Sequence, residues 1–166
     1  VYDQRSGAAT TVCRLTESIR TLGLAADGRH LVAGDNGGRF QVIDLEGGTQ
    51  PVLSAQVAGP AYRARFDTDG SVLVTSADGL RRYRPGAMLP TAVYPCDDAR
   101  WFDVLPDGRF AVLGLHGLLK LFDPGSPHCV GEREIDDPRP HRVVFGAGDR
   151  LFTGSGDGGG GRFSAC

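Results

Sequence analysis

A unit of ~40 residues recurs four times along this chain of 166 residues. Each copy holds a short apolar run, a turn, a second apolar run, a further turn and a third run. The first turn of the first three copies contains an Asp-Gly pair, and successive pairs lie 42 and 38 residues apart: Asp27-Gly28, Asp69-Gly70 and Asp107-Gly108. A repeat of this length is one supersecondary unit, which buries its faces by stacking on its neighbours.

The runs within each copy have the composition of β-strands. They are four to six residues of alternating or continuously apolar, β-branched or aromatic character, as in Ile19 to Leu24 or Leu73 to Ser76. Most are followed by a glycine able to adopt positive φ, as hairpin turns require. The chain contains 25 Gly and 10 Pro, a density that favours many short strands and argues against long helices. The sequence therefore predicts an all-β fold of β-propeller blades, each with four antiparallel strands.

We expect about four blades in a single propeller region, as part of a larger propeller. In the last copy the chain stops after a third strand. We interpret Thr10 to Leu15 as the outermost strand of a preceding blade, and Val1 to Asp3 as the end of the third strand of that blade. Alternatively, residues 10–15 supply the missing strand and latch the ring, or a second chain closes it. The expected pieces are the end of a preceding blade (1–17), three full blades (18–58, 59–96 and 97–137) and an incomplete blade (138–166).

Two features carry a resemblance to a known family. Leu105 to Arg109 reads Leu-Pro-Asp-Gly-Arg, and the third runs of two copies end in Ile43-Asp44 and Phe122-Asp123, with Val1 to Asp3 in the same place ahead of them. In this order of strands and turns the chain resembles the WD-repeat β-propeller family over essentially its whole length. The resemblance implies a cytoplasmic protein-interaction module.

The resemblance is degenerate. No copy has Trp where the family has its Trp-Asp pair, Tyr83-Arg84 and Phe163-Ser164 lose the Asp as well, and no Gly-His pair precedes an innermost strand. The family's Asp-His-Ser/Thr-Trp hydrogen-bond network therefore cannot form whole in any blade. The chain is a degenerate member, or belongs to a neighbouring propeller family. What survives is the turn Asp and the strand Thr: Asp35, Asp78, Asp157, Thr75 and Thr153.

One register of the first strand carries a large polar residue in every copy. The resemblance places this register on the face around the central channel, where partners of such propellers dock. Arg and Tyr are frequent binding anchors, although strand ends near solvent are often polar without any such role. We predict partner-binding roles for the residues of this register and for two inner-strand arginines: Arg20, Tyr62, Arg100, His141, Arg63 and Arg142.

The charged residues of the inner strands also suggest which charge the partner carries. A basic channel mouth attracts an acidic or phosphorylated peptide, because Arg makes bidentate contacts with carboxylate and phosphate. An alternative interpretation is structural: Arg65 and Asp103 occupy the same place in neighbouring copies, so an ion pair between blades is expected. We expect Trp101 to pack between blades.

Other classes of site find little support. The net charge of −2 gives no reason to expect nucleic acid or an anionic membrane as partner. No apolar run reaches the ~18–20 residues of a membrane span. The four cysteines have no close pair of the kind a zinc site needs. Asp67 to Gly70 opens like a calcium loop but lacks the later acidic ligand.

These patterns predict a non-catalytic scaffold that binds a peptide or protein partner on its channel face, with no metal and no cofactor. The four histidines have no partnered nucleophile and no metal-ligand spacing, so no catalytic residue is predicted. The alternative is a propeller enzyme or cofactor-binding domain, lactonase-like or quinoprotein-like, because sites on such propellers gather from several blades.

Overall fold

The chain is all-β in the computed structural model, which describes residues 4–48, 50–105, 107–135, 140–146, 150–155 and 163–165. None of these residues forms a helix long and apolar enough to cross a membrane. The strands are β1 Ile19–Leu24, β2 His30–Asp35, β3 Arg39–Asp44, β4 Pro51–Gln56, β5 Arg63–Phe66, β6 Val72–Ser76, β7 Gly79–Tyr83, β8 Ala92–Tyr94, β9 Ala99–Val104, β10 Phe110–Gly114, β11 Leu118–Phe122, β12 Cys129–Glu134, β13 Pro140–Phe145, β14 Leu151–Ser155 and β15 Phe163–Ala165.

These strands form four separate antiparallel sheets, which we call the first to fourth blades. The first three are β1-β2-β3-β4, β5-β6-β7-β8 and β9-β10-β11-β12, and the fourth is β13-β14-β15. Within each blade, every strand pairs antiparallel with its neighbours in sequence. The predicted all-β fold of antiparallel propeller blades is confirmed, and the strands that the structure describes do not close into a ring.

Strand composition follows position within the blade. The second strands β6 and β10 are buried at every residue, because blades pack on both of their faces. The outer strand β12 is exposed at five of its six positions and carries charged residues. The inner strand β9 is buried at Ala99 and Phe102 and half-buried at its other four positions. The long apolar runs are therefore the second strands of the blades.

Side chains from successive blades form the core. Phe40 of the first blade contacts Tyr83 of the second with 4.8 Å between ring centres. Tyr94 of the second blade lies edge-on to Phe110 and Phe122 of the third, at 4.6 and 5.4 Å. Such edge-to-face pairs add to the free energy of burial. A third, smaller cluster joins the third and fourth blades.

The prediction of a strand at residues 10–15 is wrong. Among residues 4–17 only Ala9 forms a bridge, and the others have no ladder of backbone hydrogen bonds. The end of this segment instead contacts the buried Asp35. Asp35 Oδ2 accepts hydrogen bonds from the Glu17 amide at 3.3 Å and from the Thr16 hydroxyl at 3.5 Å. Residues 1–3, the other part of the expected preceding blade, lie outside the described residues.

Candidate binding site on the inner strands

The first strands β1, β5, β9 and β13 lie side by side as the inner strands of successive blades. Ion pairs and hydrogen bonds cross between them. Asp103 of the third blade accepts from Arg65 Nη1 of the second at 2.8 Å and from the backbone amide of Phe145 in the fourth at 2.9 Å. The predicted Arg65–Asp103 ion pair is therefore present, and this one carboxylate connects three blades.

Three predicted residues from three blades form what we call the tyrosine cluster: Arg20, Tyr62 and Arg100. The guanidinium carbons of Arg20 and Arg100 lie 5.0 and 4.0 Å from the centre of the Tyr62 ring, which is the geometry of a cation–π contact. Partial burial raises the pKa of the Tyr62 phenol, so the ring remains neutral. The cluster presents two cations held over one aromatic ring.

Two polar partners orient the arginines of this cluster. Arg20 Nη1 donates to Asn36 Oδ1 at 3.0 Å, and Arg100 Nη2 donates to Asp98 Oδ2 at 2.9 Å. Asp98 has a positive φ of 50°, an uncommon conformation that Asp adopts more readily than most residues. Neither Asn36 nor Asp98 is among the predicted site residues. Their position in turns beside the inner strands is the one sequence feature that points to them.

A second group, the tryptophan cluster, consists of Arg63, Trp101 and Arg142. The guanidinium carbons of Arg63 and Arg142 lie 3.7 and 4.9 Å from the Trp101 ring centre. Trp101 also packs against the core between the third and fourth blades, as expected. It therefore has both an inter-blade packing role and a stacking role.

Residues of both clusters line one pocket of about 360 Å³. Arg20, Tyr62, Arg63 and Arg142, four of the six predicted site residues, contribute to its wall together with Arg65 and Trp101. Arg100 contacts the Tyr62 ring but does not itself line the pocket. His141 is exposed on β13, and no contact in the described part of the chain joins it to either cluster.

Positive charge exceeds negative charge in this pocket. Asp103 balances Arg65, whereas Arg63 and Arg142 form no ion pair with any described carboxylate. Burial, and next the neighbouring Arg65, lower the pKa of Arg63 to about 10, so it is still charged at neutral pH. Arg63 Nε and Trp101 Nε1 are buried and have no hydrogen-bond partner among the described residues. Leaving a buried donor unpaired costs free energy.

The acidic turn that resembles a calcium loop is occupied by protein contacts. Asp67 forms an ion pair with Arg82, and Asp69 Oδ1 accepts a hydrogen bond from the Ser71 amide at 2.9 Å. The described residues contain no group of three or more His, Cys, Asp or Glu side chains that could hold a metal ion.

Comparison with known proteins shows the fold. No protein-family model matches the chain, and no curated protein matches it in sequence. Similar solved structures include the computationally designed Ika4 protein, at 11% identity and a TM-score of 0.75, with 95% of this chain and 99% of that chain covered. Another is the β-propeller domain of Cps50 (Swd1) from Myceliophteria thermophila, at 13% identity and a TM-score of 0.77 over 94% of this chain. The chain spans 55% of that domain. The likeness shows that this chain has a β-propeller fold.

Proposed function

We propose that this protein is a non-catalytic interaction scaffold of the WD-repeat type, and that its inner-strand pocket binds an acidic segment of a protein partner. The observation that carries the proposal is the convergence of arginines from the first, second and fourth blades on one pocket around Trp101 of the third, with Arg63 and Arg142 lacking a described carboxylate partner.

The chemistry of the pocket favours an anionic peptide side chain. A guanidinium donates two parallel hydrogen bonds to a carboxylate or phosphate, and such charge-assisted bonds are about twice as strong as neutral ones. Stacking on Trp101 restricts the rotamers of Arg63 and Arg142, so less conformational entropy is lost on binding. The site is thus pre-organised for an oxyanion.

The partner of a scaffold binds by contact area as well as charge. Tyr62 and Trp101 are half-buried and add aromatic surface of the kind that dominates binding hot spots. The surrounding arginines restrict the anion to one place on this surface. A peptide with one or two acidic side chains and an adjacent apolar residue matches this combination.

Fluorescence anisotropy with matched peptides tests the proposal. A Glu-rich peptide should bind, and so should the same peptide with a central phosphoserine, whereas a version with Gln in place of Glu should not. Comparing the affinities of the first two peptides separates carboxylate recognition from phosphate recognition. Replacing both Arg63 and Arg142 with Gln should weaken binding by about tenfold or more, since hydrogen bonds to charged groups contribute about 1.5–3 kcal/mol.

The matched control is Arg133→Gln, which removes one exposed positive charge from the outer strand β12. It should leave affinity nearly unchanged. Equal binding of the acidic and Gln peptides, or an unchanged affinity in the double variant, would exclude this pocket as the site.

A further inference from the structure

The inner strands carry an apolar position on the face that packs against the preceding blade, which we call the leading face. At this position Ala64, Phe102 and Val143 of the second, third and fourth blades are 2%, 0% and 0% exposed. The equivalent residue of the first blade, Leu22, is 61% exposed, and Leu24 two residues later is 58% exposed. In the other blades the residues equivalent to Leu24 pack against the inter-blade core: Phe66, Val104 and Phe145.

The opposite, trailing face of each blade packs against the next blade. In the first blade it carries Gly23, where an added Cβ would lie 2.8 Å from the Ala64 carbonyl oxygen. In the fourth blade the same position is Val144, which is 46% exposed. Its cross-strand neighbour Phe152 is half-buried. Among the described residues, therefore, nothing covers the leading face of the first blade at Leu22 and Leu24 or the trailing face of the fourth blade at Val144.

We propose that a second copy of this chain covers both faces, with the trailing face of each fourth blade on the leading face of the other copy's first blade. The three interfaces inside the chain define what fits Leu22 and Leu24, namely the trailing face of an antiparallel blade. The fourth blade presents that kind of surface with Val144 exposed. The proposed contact continues the packing already present between the first, second, third and fourth blades.

In the proposed assembly, head-to-tail pairing closes with two copies. A contact between two different surfaces forms either a ring or an open filament, depending on its rotation. Two copies contribute eight sheets, which lies at the upper end of the ~4–8 blades seen in propellers. A ring of two copies leaves no leading or trailing face uncovered.

Size-exclusion chromatography with light scattering, over a range of protein concentrations, tests the proposal. The wild-type chain should reach twice its mass of 17.6 kDa. Leu22→Glu and Val144→Glu should each run as monomers, because each places a charge in both contacts of the ring. Both positions are largely exposed in one chain, so circular dichroism should show that the monomers remain folded.

Mixing the two variants provides the decisive measurement. Leu22→Glu retains an intact trailing face and Val144→Glu an intact leading face, so an equimolar mixture should recover a two-chain species through one contact. Val130→Glu, at a 56% exposed position on the outer strand β12, should remain dimeric as control. A wild-type monomer at every concentration, a dimer that tolerates both changes, or a mixture that stays monomeric would overturn the proposal. Leu22 also lines the inner-strand pocket, so peptide binding is scored separately on Val144→Glu, which leaves the lining of that pocket unchanged, and the two ideas can fail independently.

Discussion

Thr75 shows how a single side chain maintains the inner strand of a blade. It is fully buried on β6, and its hydroxyl accepts a hydrogen bond from the Arg63 amide at 3.1 Å and lies 3.3 Å from the Arg63 carbonyl oxygen, to which it can donate. Arg63 in turn stacks on Trp101 in the proposed pocket. The hydroxyl therefore connects the packing of the blade to the position of a binding residue.

Replacing Thr75 with Val should reduce the free energy of unfolding by about 1–3 kcal/mol, because it leaves the Arg63 amide without its acceptor. Urea denaturation measures this change. Thr75→Ser retains the hydroxyl and should lose less stability than Thr75→Val. A loss of stability in Thr75→Ser with none in Thr75→Val would mean that the methyl group, rather than the hydrogen bond, matters at this position.

Asp78 provides a prediction about pH. Hydrogen bonding from Arg81 lowers the pKa of this carboxyl from 3.8 to about 2. Since the folded-state pKa is depressed, the pair stabilises the protein above about pH 4, and this contribution disappears as the pH falls towards 2. Arg81→Gln should therefore raise the pKa of Asp78 towards 3.8, as followed by carbon-13 NMR of the carboxyl group. In Arg133→Gln the Asp78 titration should be unchanged.

At the level of elements, the turn between β6 and β7 depends on a glycine. Gly79 has a φ of 134°, and a Cβ at this residue would overlap the carbonyl oxygen of Tyr94 on β8. Gly70, in the turn before β6, has a φ of 78° but would meet no atom within 4 Å. Backbone strain is therefore expected on substitution at both glycines, whereas steric overlap is expected only at Gly79.

Gly79→Ala should lower the free energy of unfolding by about 3 kcal/mol, near the upper range for a single substitution, because β8 must move. Gly70→Ala should lower it by about 1 kcal/mol, which is the cost of the left-handed conformation alone. Chemical denaturation of both variants provides the comparison. Similar losses would show that β8 accommodates the methyl group without displacement.

The strands were predictable because their composition repeats, but their register was not. Aligning the Asp-Gly turns places Leu31 and Leu73 at the same position of the second strand. In the structure Leu31 pairs with Leu24 on the leading face, whereas Leu73 pairs with Arg65 on the trailing face. The hydrogen-bonded β1–β2 turn is longer by one residue than the β5–β6 turn. A shift of one residue moves the side chains of a strand to the other face of the sheet.

At the scale of the whole molecule, the repeat placed Arg20, Tyr62 and Arg100 in one register, and the structure brings these three together. Their grouping required only that equivalent positions of stacked blades are adjacent in space. Arg63, Trp101 and Arg142 also share one register, the next position along each inner strand, so the same rule groups them. The second contact of Asp103 is with a backbone amide, which no pattern of side chains contains.

Each described sheet is assembled from strands that follow one another along the chain, and no ladder of backbone hydrogen bonds passes from one sheet to the next. Sequence separation between paired strands is therefore small, which favours rapid formation of each unit on its own. Cooperativity between units then depends on side-chain burial, so a terminal unit can open while the others stay intact. Evolution can lengthen or shorten such an array by one unit at a time, because a duplication or deletion leaves every remaining ladder complete.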